Sequence, residues 1–128
     1  MKWYMLNNLN QSDLNEISAD IQVQPDSPWF RGHFPGEPIL PGIAQLGMVF
    51  DAITKSCNQD LKISSVHRVR FKQIIRPDDH LKIIVRPLEK KAGSYSFRIM
   101  VAEELACSGV MTVENQMDNG KGAAKTQI

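Results

Sequence analysis

The spacing of apolar residues changes along the chain, and each spacing predicts a different element. Residues 17–24 alternate between apolar and polar, as in a strand that exposes one face to water. In residues 43–53 apolar side chains occupy nearly every face of a helix, apart from Gln45 and Asp51. We therefore predict an early strand and, from Gly42 onward, a central helix that is buried on several sides.

The second half of the chain carries four short apolar runs separated by turn residues. Such runs are typical of strands, and their short connections predict an antiparallel meander. One helix followed by antiparallel strands is the α+β layout. Because a helix that is apolar all round needs more than one wall, we expect the sheet to curve around it. The four predicted strands are residues 66–75, 81–88, 94–101 and 105–113.

A segment rich in proline and glycine, residues 25–42, separates the first predicted strand from the helix. Its five prolines and three glycines prevent a long regular element. We expect an ordered or functional loop, because a stiff backbone holds its side chains in place.

Length and composition describe one compact domain. The chain has 128 residues, of which 42% are hydrophobic and 23% are charged. At this size roughly two thirds of the unfolded surface can be buried without a metal or disulfide. We expect a single domain over residues 1–114. Residues 115–128 have no periodicity and are expected to form a disordered tail.

Charge and cysteine content exclude several classes of protein. The formal net charge is +1, too small to favour nucleic acid or an anionic membrane as the main partner. Cys57 and Cys107 are too few for a disulfide scaffold, so we expect free thiols in a reducing compartment. No apolar stretch would span a membrane and the N-terminus lacks an apolar signal segment, so the expected location is the cytoplasm. Metal-ligand spacing and a glycine-rich phosphate motif are both missing, so no metal and no cofactor are expected.

Two residues of the segment before the helix have the chemistry of a site. An imidazole changes protonation near neutral pH, so His33 is the candidate for proton transfer. Gly42 opens the helix, where unpaired N–H groups and the helix dipole can receive an oxygen that becomes negative. The apolar side chains that follow suit the wall of a pocket for an acyl chain. They are Ile43, Leu46, Met48 and Phe50.

Residues 32–42, with the sequence GHFPGEPILPG, resemble the active-site segment of the 3-hydroxyacyl-(acyl-carrier-protein) dehydratases. Order and spacing both agree, with GHFPG followed by PxxPG at the start of the helix. Residues 70–72, RFK, and the turn at residues 76–79 also match the family, and the resemblance covers residues 17–114. It implies a hotdog fold, in which an antiparallel sheet wraps around one long helix. It also implies a role in fatty-acid or polyketide-type synthesis.

Dehydration in this family needs two groups. The resemblance implies that His33 removes the C2 proton of a 3-hydroxyacyl thioester and that the N–H of Gly42 polarises the thioester carbonyl. The family has a carboxylate fourteen positions after the histidine to serve the departing hydroxyl, but position 47 of this chain is Gly. Asp51 lies one turn further on the same face, where the family usually has Gln. Asp51 or a water would replace the missing acid, and Glu37 is a less suitable substitute because family members vary there.

The resemblance leaves three functions open. The first is a dehydratase that forms a trans-2-enoyl thioester, and the second is a hotdog thioesterase in which Asp51 orients a water. The third is a non-catalytic subunit that binds an acyl carrier or completes a mixed oligomer. The substrate-binding residues implied by the resemblance are Phe34, Gly42, Ile43, Leu46, Gly47 and Phe50.

Arg68, Arg70 and Lys72 have the i, i+2, i+4 spacing of residues that share one face of a strand. This basic row is a candidate docking surface for an acidic acyl carrier protein, with a solvated strand face as the alternative. The substrate would be carried on that protein or on CoA. The resemblance also implies edge-to-edge pairing of two sheets, and so a homodimer, a dimer-based hexamer or a mixed oligomer with a paralogue.

Overall fold

A computed structural model of the chain describes residues 4–27 and 39–116. In these ranges an antiparallel sheet lies against one helix, so the predicted α+β class is confirmed. No helix in this part of the chain is long and apolar enough to cross a bilayer. The predicted disordered tail lies almost wholly outside the described residues. The strands are β1 (Tyr4–Gln11), β2 (Ile17–Val23), β3 (Leu61–Phe71), β4 (His80–Pro87), β5 (Ser94–Val101) and β6 (Glu104–Asn115), and the helix is α1 (Gly42–Cys57).

The strands form one sheet in the order β1-β2-β4-β5-β6-β3, in which all neighbours are antiparallel. Only β4, β5 and β6 follow one another as a meander. The prediction of a four-strand meander is wrong for its first member, because β3 pairs with β6 at the far edge of the sheet. Residues 72–79 make the connection from β3 to β4. This segment is longer than a hairpin turn, and it is anchored by Ile75, which is fully buried.

The side of the sheet that faces α1 is built from alternate residues of the central strands. Ala19, Ile83, Ile99 and Cys107 stand opposite one another across β2, β4, β5 and β6, and each is at most 1% exposed. Because successive side chains of a strand point to opposite faces, this register collects the apolar residues on one side. Cys107 and Cys57 are both free thiols, as predicted.

Helix α1 turns one face to the sheet and leaves another uncovered in the single chain. The covered residues lie three and four apart and form one stripe. Opposite them Gly47 is exposed and Ile43 is 68% exposed. Burial on several sides was therefore predicted too strongly, since the apolar pattern of a helix does not tell which faces its own sheet will cover. The buried residues are Ala44, Gln45, Met48, Val49, Ala52 and Ile53.

Strand β1 was not predicted from the sequence. It pairs with β2 at one edge of the sheet, and its register shifts between Asn7 and Asn10, where Asn8 has a φ of 55°. Such a bulge interrupts the alternation by which a strand is recognised. Tyr4 is the one residue of β1 that is buried. An edge strand with so little apolar burial has almost no hydrophobic pattern to detect.

The opposite edge strand, β3, also departs from regular alternation. Its register with β6 shifts between Ile63 and Ser65 and again between His67 and Arg70. Within the second shift Arg68 has a φ of 59°. A bulge inserts an unpaired residue and increases the local twist. The side chains before and after Arg68 therefore do not alternate regularly between the two faces of the sheet.

Gly93 is a position where the fold requires glycine. Its φ is +83°, and a Cβ built there would lie 2.7 Å from the carbonyl oxygen of Val113. Gly93→Ala is expected to lower the free energy of unfolding by about 2 kcal/mol, because an L side chain is strained at this φ and a backbone oxygen cannot move aside cheaply. Urea denaturation followed by circular dichroism measures the change.

Gly47→Ala is the matched control for this substitution. The space at the would-be Cβ of Gly47 is open to 4 Å in the described part of the chain. Alanine is therefore expected to raise the free energy of unfolding by about 1 kcal/mol through its higher helix propensity. A Gly93→Ala protein as stable as the wild type would contradict the importance given to the close contact with Val113.

Candidate active site

The start of α1 offers backbone donors, and its own first turn contains no competing acidic side chain. Pro41 precedes the helix in an extended conformation and provides no side-chain cap, and the first turn contains no acidic residue. The first N–H groups of an α-helix have no partner within the helix, and the positive end of its dipole lies there. The N–H groups from Gly42 onward are therefore suited to bind an oxygen that acquires negative charge.

The aromatic ring of Phe71 packs directly against Gly42. A Cβ built on Gly42 would lie 2.5 Å from Cζ of that ring, so a larger side chain fits only if the ring moves. Phe71 is the last residue of β3 and is 53% exposed. From the sequence Phe71 is recognisable only as part of the RFK motif, and its place beside the predicted oxyanion donor was not predicted. The signal that could have identified it is a single aromatic residue between the basic side chains of RFK.

The predicted acyl-binding residues of α1 fall into two groups. Ile43 and Gly47 lie on the exposed side of the helix, and Leu46 and Phe50 flank them while still packing against the core. We call these four residues the open face of α1. Leu46 and Phe50 are half-buried, whereas Ile43 and Gly47 are exposed. Met48 is fully buried in the core. Its assignment to the pocket wall is therefore wrong, because the helical period of about 3.6 residues carries it to the opposite side.

Gly47 leaves space in the middle of the open face. It is exposed, and no neighbouring atom of the described residues lies within 4 Å of its would-be Cβ. A carboxylate side chain at this position would project from the same side as Ile43 and Phe50. The glycine thus leaves room there for a water molecule or for part of a ligand.

Among the described residues, Tyr4 and Lys55 both contact the carboxylate of Asp51. The hydroxyl of Tyr4 donates to Oδ2 at 2.5 Å, and Nζ of Lys55 lies 3.6 Å from Oδ1. The Asp51 side chain is 17% exposed. It borders a cleft of about 360 Å³ that is lined by residues 4–7 of β1 together with Lys55. Asp51 therefore links α1 to the edge strand β1, one helical turn from the open space at Gly47.

Burial raises the pKa of both tyrosines of the chain. The pKa of Tyr4 lies well above its ordinary value, because the hydroxyl is buried and also bonds to the negative Asp51. Burial raises the pKa of Tyr95 to about 12, and its contact with the Cys57 thiol, at 3.7 Å, acts in the same direction. Both hydroxyls are neutral at physiological pH, so the hydroxyl of Tyr4 keeps its proton and donates a hydrogen bond to the Asp51 carboxylate.

His33, Phe34 and Glu37 lie outside the described residues, and the roles predicted for them stay predictions. The backbone that leads from that segment into α1 is described from residue 39 onward. The N–H of Leu40 donates to the carbonyl oxygen of Ile75 at 2.9 Å. The last residues before the helix are therefore tied to the connection between β3 and β4.

Arg68, Arg70 and Lys72 are all exposed, but β3 does not present them as one regular row. The strand ends at Phe71, so Lys72 lies beyond it. The bulge that follows His67 interrupts the alternation between the two arginines. A shared orientation of the three side chains therefore does not follow from their i, i+2, i+4 spacing. We call Arg68, Arg70 and Lys72 the basic group at the end of β3.

Comparison with known proteins gives a match over most of the chain. Residues 9–110 match the ApeI-like family, described as ApeI dehydratase. Two relatives are named 3-hydroxyacyl-(acyl-carrier-protein) dehydratase FabZ and are 33% identical to this chain. The alignment with the protein of Chloroflexus aggregans covers 66% of this chain and 65% of the relative. The alignment with the protein of Albidiferax ferrireducens covers 75% of this chain and 72% of the relative. The chain thus spans about two thirds of the length of these relatives.

A solved structure agrees with these matches. The dehydratase heterocomplex ApeI:P from Xenorhabdus doucetiae has a TM-score of 0.77 and 28% identity, and the alignment covers 88% of this chain and 98% of that one. The predicted hotdog fold is thereby confirmed. These matches favour the dehydratase among the three functions left open by the sequence, and they do not favour the thioesterase or the non-catalytic subunit.

The raised tyrosine pKa values predict a late alkaline transition. Tyr4 and Tyr95 are the two tyrosines of the chain, so tyrosinate absorbance reports on them alone. The fold favours their neutral form, so the stability that this contributes is complete below the ordinary tyrosine pKa. It is lost as the pH rises toward the folded-state value, about 12 for Tyr95. In the native protein, tyrosinate absorbance at about pH 10 is therefore expected to be small, and unfolding should increase it.

The variant Tyr95→Phe leaves Tyr4 as the single tyrosine in the same titration. The remaining tyrosine, Tyr4, bonds to a carboxylate and is expected to ionise later than Tyr95. Half-ionisation of the native protein near the ordinary tyrosine value would contradict the burial assigned to both hydroxyls.

Proposed function

We propose that this chain, which belongs to the ApeI-like dehydratase family, removes water from 3-hydroxyacyl thioesters to give trans-2-enoyl thioesters. Membership of this FabZ-like hotdog family makes its general chemistry dehydratase-like. The substrate and the acting residues are the proposal. The observation that carries it is the start of α1, where a glycine, a first turn without acidic residues and the open face lie together.

The reaction needs a base at C2 and a donor at the thioester oxygen. In the proposed mechanism the imidazole of His33 takes the C2 proton, and the electron pair left on C2 is delocalised onto the thioester oxygen. The N–H of Gly42 stabilises that oxygen, helped by the positive end of the helix dipole. The electron pair then forms the C2–C3 double bond while the C3–O bond breaks. The hydroxyl takes up a proton and leaves as water.

A water molecule beside Gly47 is the proposed donor of the proton to the leaving hydroxyl, and the hydroxide that it would become takes up the proton that His33 removed from C2, so that both groups return to their starting state. The open space at that position supports this assignment. Asp51 is the alternative, one turn along the helix. Its carboxylate already accepts a hydrogen bond from the Tyr4 hydroxyl and forms an ion pair with Lys55. Because an ionised carboxylate is only an acceptor, these contacts favour the water.

The acyl chain of the substrate is proposed to lie along the open face, where Ile43, Leu46 and Phe50 supply apolar surface. Phe34 is proposed to add to this wall. The names of the curated relatives specify a substrate carried on acyl carrier protein. The basic group at the end of β3 would steer such an acidic protein toward the site, and a CoA thioester offers the same reactive end. The two free thiols agree with action in the reducing cytoplasm.

We also propose that two copies of the chain pair through β3. This strand is one of the two edges of the described sheet, so one side of its backbone lacks a partner strand among the described residues and can extend a second sheet. Ile63 on β3 is 39% exposed, and Ile43 and Phe71 are exposed near the site. A second chain would cover this apolar surface. The neighbour from Xenorhabdus doucetiae is a heterocomplex, so pairing with a paralogue is the other arrangement.

Incubation with 3-hydroxyacyl thioesters tests the proposed reaction. The wild type is expected to produce the ultraviolet absorbance of a conjugated enoyl thioester. His33→Ala should lower kcat by about a hundredfold or more, since general base catalysis contributes about 10²–10⁴-fold. Gly47→Glu should raise kcat by about tenfold or more, because it supplies a fixed acid in the open space. A panel of acyl lengths on CoA and on carrier protein then identifies the substrate.

His80→Ala is the matched control for the histidine variant, because His80 is exposed at the start of β4. Its rate should equal that of the wild type. Release of free thiol without enoyl absorbance would assign thioester hydrolysis instead. If neither the wild type nor Gly47→Glu turns over while acyl carrier protein still binds, the chain is a binding subunit and the proposed reaction is wrong.

Asp51→Asn separates the two sources of the proton. The amide still accepts the Tyr4 hydroxyl but cannot supply a proton as a carboxylic acid does. With water as the source, kcat should stay within about threefold of the wild type, whereas a loss of about a hundredfold would transfer the role to Asp51. Tyr4→Phe is the companion control. It removes a hydrogen bond to a charged group and should lower the free energy of unfolding by about 1–3 kcal/mol without changing kcat.

A further inference from the structure

Gln45 is a polar residue in the middle of the buried face of α1. It is 3% exposed, with Ala44, Met48 and Val49 buried beside it on the same face. Its Oε1 is a buried side-chain atom without a hydrogen-bond partner among the described residues. An amide in this position needs an explanation, because an apolar side chain would pack there without an unsatisfied oxygen.

The other end of the same amide makes one bond, to the backbone just before the helix. Nε2 of Gln45 donates to the carbonyl oxygen of Leu40 at 3.2 Å. The N–H of Leu40 in turn donates to the carbonyl oxygen of Ile75 at 2.9 Å. The backbone N–H of Gln45 donates to the carbonyl oxygen of Pro41 at 3.2 Å, as the first bond of the helix. Three hydrogen bonds thus hold Leu40 and Pro41, the two residues directly before Gly42.

The two ends of the Gln45 amide have opposite effects on stability, because Nε2 makes a hydrogen bond and Oε1 does not. Leaving a buried acceptor unpaired costs more than one neutral hydrogen bond typically returns. The amide of Gln45 therefore adds little stability, since an apolar residue of the same length would remove the unpaired Oε1 and leave only the carbonyl oxygen of Leu40 without this donor. The amide cannot turn its oxygen toward Leu40, since a carbonyl oxygen needs a donor. The bond to Leu40 thus leaves Oε1 without a partner among the described residues.

We propose that Gln45 is a positioning residue, whose bond to Leu40 fixes the direction of the Gly42 N–H at the start of α1. Without that bond the Leu40–Pro41 peptide could rotate about the remaining contacts, and the first N–H of the helix would move with it. The importance of this direction for turnover rests on the proposed function, in which that N–H meets the thioester oxygen. The hold on the backbone itself does not depend on the reaction.

Gln45→Met tests the proposal, because methionine has a similar length and no hydrogen-bonding amide. The free energy of unfolding is expected to stay close to that of the wild type, because the unpaired Oε1 is removed while the carbonyl oxygen of Leu40 loses its donor. Removing one oxyanion donor costs about 10²–10³-fold in kcat, so misdirecting it should lower kcat by about ten- to a hundredfold. KM should change by less than about threefold, because binding of the acyl chain is untouched. In nuclear magnetic resonance spectra the chemical shift of the Gly42 amide should change, because the peptide before it is no longer held by Gln45.

Ser94→Ala is the matched control. It removes another buried side-chain hydrogen bond, between Ser94 Oγ and Thr112 Oγ1 at 2.6 Å in β5 and β6. This variant should lose stability and leave kcat and the Gly42 amide unchanged. A residue with a merely structural role would behave as Ser94 does.

The outcomes separate the proposal from the proposed reaction. A Gln45→Met protein with unchanged kcat and an unchanged Gly42 amide would overturn the positioning role. Gln45→Leu guards against a poor fit of methionine, and failure of both variants to fold would assign Gln45 to stability and also overturn it. If the wild type does not dehydrate any substrate but Gln45→Met still alters the Gly42 amide, the positioning role stands and the proposed reaction fails.

Discussion

The burial of one face of α1 is the constraint on which the site depends. Met48 and Ile53 share one core with Ile83 and Ile99 of the sheet. Each large apolar side chain buried there contributes about 1.5–3 kcal/mol. A turn of the helix by one residue, about 100°, would bring several of them to the surface and is therefore excluded. The buried face of α1 must therefore contact the sheet, and this fixes the open face on the solvent side of the helix.

Two glycines of α1 have opposite surroundings, and the contrast separates packing from function. Gly42 must be glycine as long as the ring of Phe71 lies against it. Gly47 has no such neighbour among the described residues, and glycine inside a helix costs about 1 kcal/mol relative to alanine. Packing therefore explains Gly42 and does not explain Gly47. Use of the open space by water or substrate is the explanation that the proposed function provides.

Elements with a strong local pattern could be predicted, and those defined by distant partners could not. Helix α1 and strands β2, β4, β5 and β6 all appear in the amino-acid spacing. The place of β3 depends on its pairing with β6, in which Leu61 stands opposite Asn115. No local pattern contains that contact. The Tyr4 partner of Asp51 could not be foreseen for the same reason, since it lies on a strand whose bulge and polar residues conceal it. The start of α1 lies where the sequence placed it, whereas the role of His33 stays a prediction.

The two halves of the proposed reaction place unequal demands on side chains. Polarisation of the thioester uses a backbone N–H, a group that every residue type except proline has. In the proposal Gln45 directs this N–H, and the ring of Phe71 packs against Gly42. Protonation of the leaving hydroxyl uses a side chain at position 47 when one is present, and water when it is not. The C2 proton becomes acidic only after the carbonyl is polarised, so the helix start supplies the step without which nothing else proceeds. In the proposed mechanism, doing without a side-chain acid at position 47 forfeits at most the contribution of one general acid, about 10²–10⁴-fold. A glycine there should therefore slow the proposed dehydration without changing which bonds are broken.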